Sequence, residues 1–280
     1  MYKIKWMILS LFLISGCQTN SASSLPLSHD KSIVRSIPST SAPFNNHIEQ
    51  VITAFENQHP TDWGENVPGV KTRFETNQKE VALTFDACGG QHGSDVDDDL
   101  LTYLIEHDIP STLFMNGRWI DENTSLFRKL AANPLFEIEN HGSNHRPLSV
   151  NGKSAWGIQG TTSVEEVIDE MKVNQDKIFD LTGKEPALFR SGTAYYDDVA
   201  VKIGKRLGIQ FVNYTILGDA GATYTSDQVK QALLDAKPGD IALLHMNQPT
   251  SGTAEGVIQA IPTLKQRGYS FVQLHDQNLH

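Results

Sequence analysis

The sequence predicts an α/β fold, a parallel sheet of seven strands closed into a (β/α) barrel with its helices outside. Three observations carry this. From Val81 onward, short apolar runs alternate with longer amphipathic segments, the pattern of βα units joined by right-handed crossovers. Helix punctuation falls at the expected boundaries: Ser163 with Glu166 reads as a capping box, Ser226 as a cap, and Gly183, Gly208 and Gly268 follow helix ends. Five apolar runs each end in, or lead into, a polar residue able to do chemistry. In a parallel barrel such residues meet at the carboxyl rim of the strands. An open doubly wound sheet is the alternative this pattern leaves.

Along the chain, residues 1–17 read as a secretory signal. Met1 to Lys5 supply positive charge, and Trp6 to Ile14 form an apolar core too short to span a bilayer comfortably. The segment ends Leu13-Ile14-Ser15-Gly16-Cys17, which resembles the lipobox of bacterial lipoproteins, in which the cysteine takes a lipid and becomes the mature N-terminus. By resemblance to lipoprotein sorting in Gram-negative bacteria, Gln18 after the cysteine implies the periplasmic face of the outer membrane. Residues 18–43 are rich in Ser, Thr, Asn and Pro and read as a flexible tether. Ile48, Val51, Ile52 and Phe55 recur at helical spacing, so a helix is expected over 45–58, followed by a loop from Trp63 to Gly69; residues 44–75 pack on the barrel as a unit. The catalytic domain covers 76–280. Strands are expected near 81–86, 111–116, 135–140, 186–190, 209–215, 240–245 and 270–274. Helices are expected near 95–107, 121–132, 163–181, 197–207, 226–236 and 252–267. Residues 146–162 form a long excursion containing Trp156.

The 280 residues, 39% of them hydrophobic, suffice for one sizeable core. A net charge of −10 without a basic stretch makes nucleic acid an unlikely partner, and nothing implies a protein partner. With Cys17 carrying lipid, Cys88 has no partner for an intrachain disulfide.

The strand-end residues are Asp86, His141 with His145, Arg190, Asp219 and His245. Two histidines four apart, set among Gly, Ser and Asn after a strand, suit a divalent metal held by neutral imidazoles. With carboxylates, an arginine and a third histidine on the same rim, the set points to a metal-assisted hydrolase.

The motifs resemble those of the polysaccharide deacetylases, the NodB-homology carbohydrate esterases of family 4, over roughly residues 76 to 280. Thr84-Phe85-Asp86-Ala87 stands where that family has TFDD, within the variant Thr84-Phe85-Asp86-Ala87-Cys88-Gly89-Gly90. His141-Gly142-Ser143-Asn144-His145 matches its HSxxH or HTxxH, Arg190-Ser191-Gly192 its arginine motif, Asp219 its fourth motif and Leu243-Leu244-His245 its Leu-x-His. The resemblance implies a distorted barrel, a divalent metal on His141 and His145 (Zn2+ first, with Co2+, Ni2+ or Mn2+ as alternatives), and Asp86 as general base oriented by Arg190. It further implies His245 as general acid held by Asp219, and an acetylated glycan polymer, peptidoglycan first, as substrate. Ala87 replaces the family's usual third metal ligand. Three groups could fill that place: Asp86 is ranked first, a loop residue (His92, Asp95 or one of Asp97-Asp98-Asp99) second, and a Cys88 thiolate last, Cys88 being read more simply as a small buried residue. Two other functions fit the same chain: a non-catalytic glycan-binding lipoprotein, or an amidohydrolase of a small non-sugar amide. Trp119, Trp156, Tyr195, Tyr196 and Tyr224 are the aromatics available to a sugar groove.

Overall fold

The computed structural model describes residues 41–280. The signal segment with Cys17, and the tether as far as residue 40, lie outside the described residues. Helix α1 (Ser41–Phe55) opens the described chain, beginning ahead of the expected start. Two short strands follow, β1 (Trp63–Gly64) and β2 (Val70–Lys71). The βα units are then β3 (Glu80–Ala87), α2 (Asp98–Glu106), β4 (Ser111–Met115), α3 (Gly117–Glu122), α4 (Thr124–Ala132), β5 (Phe136–Asn140) and α5 (Val164–Thr182). They continue as β6 (Leu188–Phe189), β7 (Tyr196–Asp197), α6 (Asp198–Arg206), β8 (Gln210–Val212), β9 (Ile216–Leu217), α7 (Ser226–Leu234), β10 (Asp240–His245), α8 (Thr253–Gln266) and β11 (Ser270–Phe271).

The main sheet runs β2-β8-β6-β5-β4-β3-β10-β9, with β11 joined to β3, and its ladders are parallel. All seven expected strands are present in it, and β2 and β9 bring it to nine. β2 and β9 are its two ends and do not pair with each other, so the sheet curls into a distorted, incompletely closed (β/α) barrel. β1 and β7 pair separately, antiparallel. The expected single helix over 121–132 is two, α3 and α4, broken at Asn123, whose side chain bonds to Ser94 O and Trp119 O.

Two caps differ in detail from expectation. Thr225, not Ser226, caps α7, in a reciprocal box with Gln228 at the third helical position. Ser163 accepts from Glu166 N, but the Glu166 carboxylate reaches back to Thr162 N, one residue earlier than a capping box requires. Gly183, Gly208 and Gly268 adopt positive φ after their helices as expected.

Strand alternation explains how the sheet makes a site. Along β3, Val81, Leu83, Phe85 and Ala87 pack outward in one hydrophobic cluster with α2 and α8, whereas Ala82 lies in the interior cluster with Phe114, Ile241 and Leu274. Thr84 and Asp86 share the inward parity of Ala82. Along β10, Ala242 and Leu244 join the outer cluster, and Leu243 and His245 share the inward parity of Ile241. The strands are buried on both faces, which is why they read as continuous apolar runs.

Candidate active site

All six expected site residues reach the carboxyl rim, around a cleft of about 740 Å3 whose wall includes Asp86, Cys88, His145, His245 and Trp156. The parallel register of β3 and β10 sets His245 directly opposite Asp86. His141 follows β5, Arg190 follows β6 and Asp219 follows β9.

Arg190 is fully buried, its guanidinium 4.1 Å over the ring of Phe114. Its Nη1 donates to Asp86 Oδ1 at 2.8 Å and to Thr84 Oγ1 at 2.9 Å, while Nε and Nη2 donate to the carbonyls of Val212 and Asn213. A buried guanidinium satisfied on so many sides is a fixed positive charge under Asp86. Burial pushes the Asp86 carboxyl up, but Arg190, with the imidazoles of His141 and His245, outweighs it and holds the group below its ordinary 3.8. Asp86 is therefore a carboxylate at neutral pH, with Oδ1 taken by Arg190 and Oδ2 at 3.5 Å from His141 Nε2.

His245 and Asp219 form the second pair. Asp219 is fully buried and accepts from His245 Nδ1 at 2.9 Å, from His245 N at 2.7 Å and from Thr253 Oγ1 at 2.9 Å. A carboxylate only accepts, so Nδ1 carries the proton and the ring is fixed in orientation. Burial works against the imidazolium, yet the Asp219 charge and hydrogen bond raise His245 well above 6.5. The cleft wall thus holds a deprotonated carboxylate and a protonated imidazole, the separation of roles that acid–base chemistry needs.

Between them lies a group of donor atoms. The Cys88 thiol and the rings of His141 and His145 offer ligand atoms that all lie within 4.8 Å of one another. His141 Nδ1 is engaged by the Arg190 carbonyl at 2.9 Å, and its Nε2 is 3.9 Å from Cys88 Sγ. Burial keeps His141 below 6.5, in the neutral form that ligates. His145 Nε2 is buried with no hydrogen-bond partner. Orphaned buried nitrogens are rare, and this one belongs to a residue of the donor group. The donor set suits a divalent metal: imidazole and thiolate are both zinc ligands, and three protein ligands with a position left open is the arrangement of catalytic zinc sites.

Support comes from residues that the sequence reading did not select. Glu170 lies on the buried face of α5 and accepts from Asn144 N and Arg146 N, pinning the histidine loop from behind. Asn116 caps α3 and donates to the carbonyls of His141 and Gly142. Gly142 has φ +78°, and a Cβ there would meet Glu170 Oε1 at 2.4 Å, so the loop demands glycine. His145 itself sits at φ +62°, a left-handed conformation sustained by these contacts. The one sequence signal for Glu170 is a carboxylate inside the apolar stripe of Val167, Ile168 and Met171.

Two expectations about the loop after β3 need correcting. Cys88 is half-buried on the cleft wall, not a packing residue of the core. Ala87, by contrast, is fully buried among outward-facing residues, so alternation turns the next side chain, Cys88, to the side of Asp86. Gly89 permits this: its φ is +68°, and a Cβ would meet Trp119 N at 2.5 Å. The loop residues proposed as substitute ligands do not come together with the histidines. Asp97 caps α2 with Asp98 and Asp99 in the first turn, and the Asp95 carbonyl accepts from Trp119 Nε1; neither they nor His92 join the donor group among the described residues.

Of the expected groove aromatics, Trp119 and Tyr196 are core and Tyr224 packs against it. Trp156 is 75% exposed and stands at the cleft rim, edge-on to Tyr195 at 5.9 Å; Tyr195 in turn lies 5.6 Å from Trp63. The 146–162 excursion is anchored at its base, where Ser149 N donates to Thr161 Oγ1 and Gly152 N to Thr161 O, and carries Trp156 in a small hairpin.

Residues 73–212 match the polysaccharide deacetylase family. The chain is 26% identical over 234 residues to the peptidoglycan-N-acetylmuramic acid deacetylase PdaA of Bacillus subtilis, spanning 79% of this chain and 81% of that protein. It is 28% identical over 206 residues to a peptidoglycan-N-acetylglucosamine deacetylase of Bacillus cereus, spanning 71% and 88%. Its fold is shared with the crystal structure of a carbohydrate esterase family 4 pseudoenzyme from Bacillus anthracis, at TM-score 0.62 and 25% identity over 75% of this chain and 68% of that one.

Proposed function

The chain belongs to the polysaccharide deacetylase family, and we propose that this N-deacetylase removes acetyl groups from amino sugars of peptidoglycan with a divalent metal, zinc first, on His141 and His145. The observation that carries the reading is the register of β3 and β10, which sets a carboxylate and an imidazolium side by side on neighbouring strands of the rim, in one cleft with the ligand group.

The chain's own groups suffice for the proton transfers. A metal bound there supplies positive charge to the acetamide carbonyl and the attacking water. Asp86 Oδ2, the oxygen left free by Arg190, takes the proton as the water oxygen bonds to the carbonyl carbon. Arg190 holds that carboxylate in place and keeps it deprotonated. His245 then gives its Nε2 proton to the amide nitrogen as the C–N bond breaks, so acetate leaves and the sugar keeps a free amine. Asp219 holds His245 charged until that step.

Peptidoglycan is chosen because both curated relatives above are named for it and because the cleft is open with an exposed indole at its rim, suited to stacking on a sugar of a long strand. A lipid on Cys17 and a tether to the domain, read from the sequence, would hold the enzyme at the periplasmic face of the outer membrane, within reach of that polymer.

The purified protein should carry stoichiometric zinc or another divalent ion and release acetate from peptidoglycan. Release should stop on chelation and return with metal. Absence of acetate release, with or without added metals, would favour a glycan-binding protein on the same fold; a pseudoenzyme does occur among its structural neighbours.

The pH dependence has a definite sign. His245 is raised, so its acid form is present below its folded pKa and is lost as pH rises through it. In Asp219→Asn the larger raising charge is gone, and burial is opposed only by the smaller influence of Cys88. The alkaline limb of the kcat profile should therefore move to lower pH; an unmoved limb would separate His245 from the acid role.

A further inference from the structure

We propose that Cys88 is the third protein ligand of the metal centre, making it a site of one thiolate and two imidazoles. This rests on the metal-dependent reading of the cleft given above. Four observations carry it. Among the described residues, the only metal-competent group of three His, Cys, Asp or Glu side chains is Cys88, His141 and His145, with mutual distances within 4.8 Å. Asp86 lies outside that group and is committed to Arg190 through Oδ1. His145, a member of that group, has a buried Nε2 with no hydrogen-bond partner. The chain is also shaped to deliver the sulfur. Ala87 ends β3 on the outer face, Cys88 turns inward, and Gly89 takes a positive φ against Trp119 that no other residue could occupy without a clash. The Cys88 carbonyl is fixed by Arg118 Nη2 at 3.1 Å, which holds the residue in this orientation.

The chemistry follows from the donor types. A thiolate supplies the single negative charge that a carboxylate would, so the site keeps its net charge. Sulfur is the softer donor, however, and favours zinc or cobalt over magnesium, calcium or manganese. Three protein ligands leave a position open for water and the substrate carbonyl. The arrangement also frees Asp86 from ligation and leaves it to act as base alone. On this proposal Cys88, not Asp86, is the third ligand.

The test is spectroscopic and independent of turnover. Cobalt(II) is added to the metal-free full chain in detergent, and absorption is recorded for the native protein and for Cys88→Ser, Cys88→Asp and Cys17→Ser. The native protein and Cys17→Ser should both show a near-ultraviolet sulfur-to-cobalt charge-transfer band. Both Cys88 variants should lack it, and Cys88→Asp should retain the visible cobalt bands of a bound ion. Visible bands without the charge-transfer band in the native protein would overturn thiolate ligation and leave the metal-dependent reading standing. Loss of the charge-transfer band in Cys17→Ser would assign it to the wrong sulfur and equally overturn the proposal. Failure of the native protein to take up either cobalt or zinc would remove the metal centre itself, and the ligand assignment with it. The native spectrum decides even where a Cys88 variant does not fold.

Discussion

Asp86→Asn should lower kcat for acetate release by roughly 10²–10⁴-fold, the usual contribution of a positioned general base, while metal uptake stays intact. The side chain keeps its shape, and its amide oxygen can still accept from Arg190 Nη1, but it has no carboxylate to take the proton of water. The variant should also be less stable. Arg190 is fully buried, and its remaining partners, Thr84 Oγ1 and the carbonyls of Val212 and Asn213, are neutral. Breaking a buried ion pair outright costs about 3–5 kcal/mol, and the retained hydrogen bond keeps Asp86→Asn below that. Denaturant unfolding beside kinetics separates the two effects. Because the Asp86 carboxyl is held below its ordinary value, its stabilisation is present near neutral pH and is lost as pH falls through its folded pKa. Parallel loss of metal and activity in Asp86→Asn would instead make Asp86 a ligand.

His141→Ala combined with His145→Asn should abolish bound metal, measured by elemental analysis, and reduce acetate release to the uncatalysed background. Asparagine is chosen at 145 because the position has φ +62°, which asparagine tolerates better than alanine. The choice removes a ligand without adding backbone strain. Glu170 and Asn116 hold the loop through main-chain atoms, so the fold should survive. Retained deacetylation in this variant would sink the metal-dependent mechanism. Together the two variants make distinct claims: the first removes the base and keeps the metal, the second removes the metal and keeps the base.

The histidine loop shows how far local sequence carries. His141 and His145 were legible because the spacing, the preceding strand and the small polar residues between them are all local. Glu170, which fixes their loop, was not legible, because it acts across 26 residues through a helix whose inward face only packing defines. The same holds for the aromatic residues. Trp119 and Trp156 are alike in sequence, yet one is core and the other stands 75% exposed at the cleft rim.

The sequence by itself determined the succession of βα units, the seven main strands and the six rim residues. The reason is that a parallel strand buried on both faces must be a continuous apolar run, and the first polar residue beyond it falls at the rim. Tertiary structure alone decided the two-residue strands β2 and β9, which have no periodicity to detect and exist through their neighbours. It also decided the partnership of Asp86 with His245, since register between strands distant in sequence is set by packing. The donor group was decided in the same way: whether Cys88 packs or ligates depends on which face the residue after β3 presents and on how the chain turns at Gly89, and both are fixed by contacts with α3.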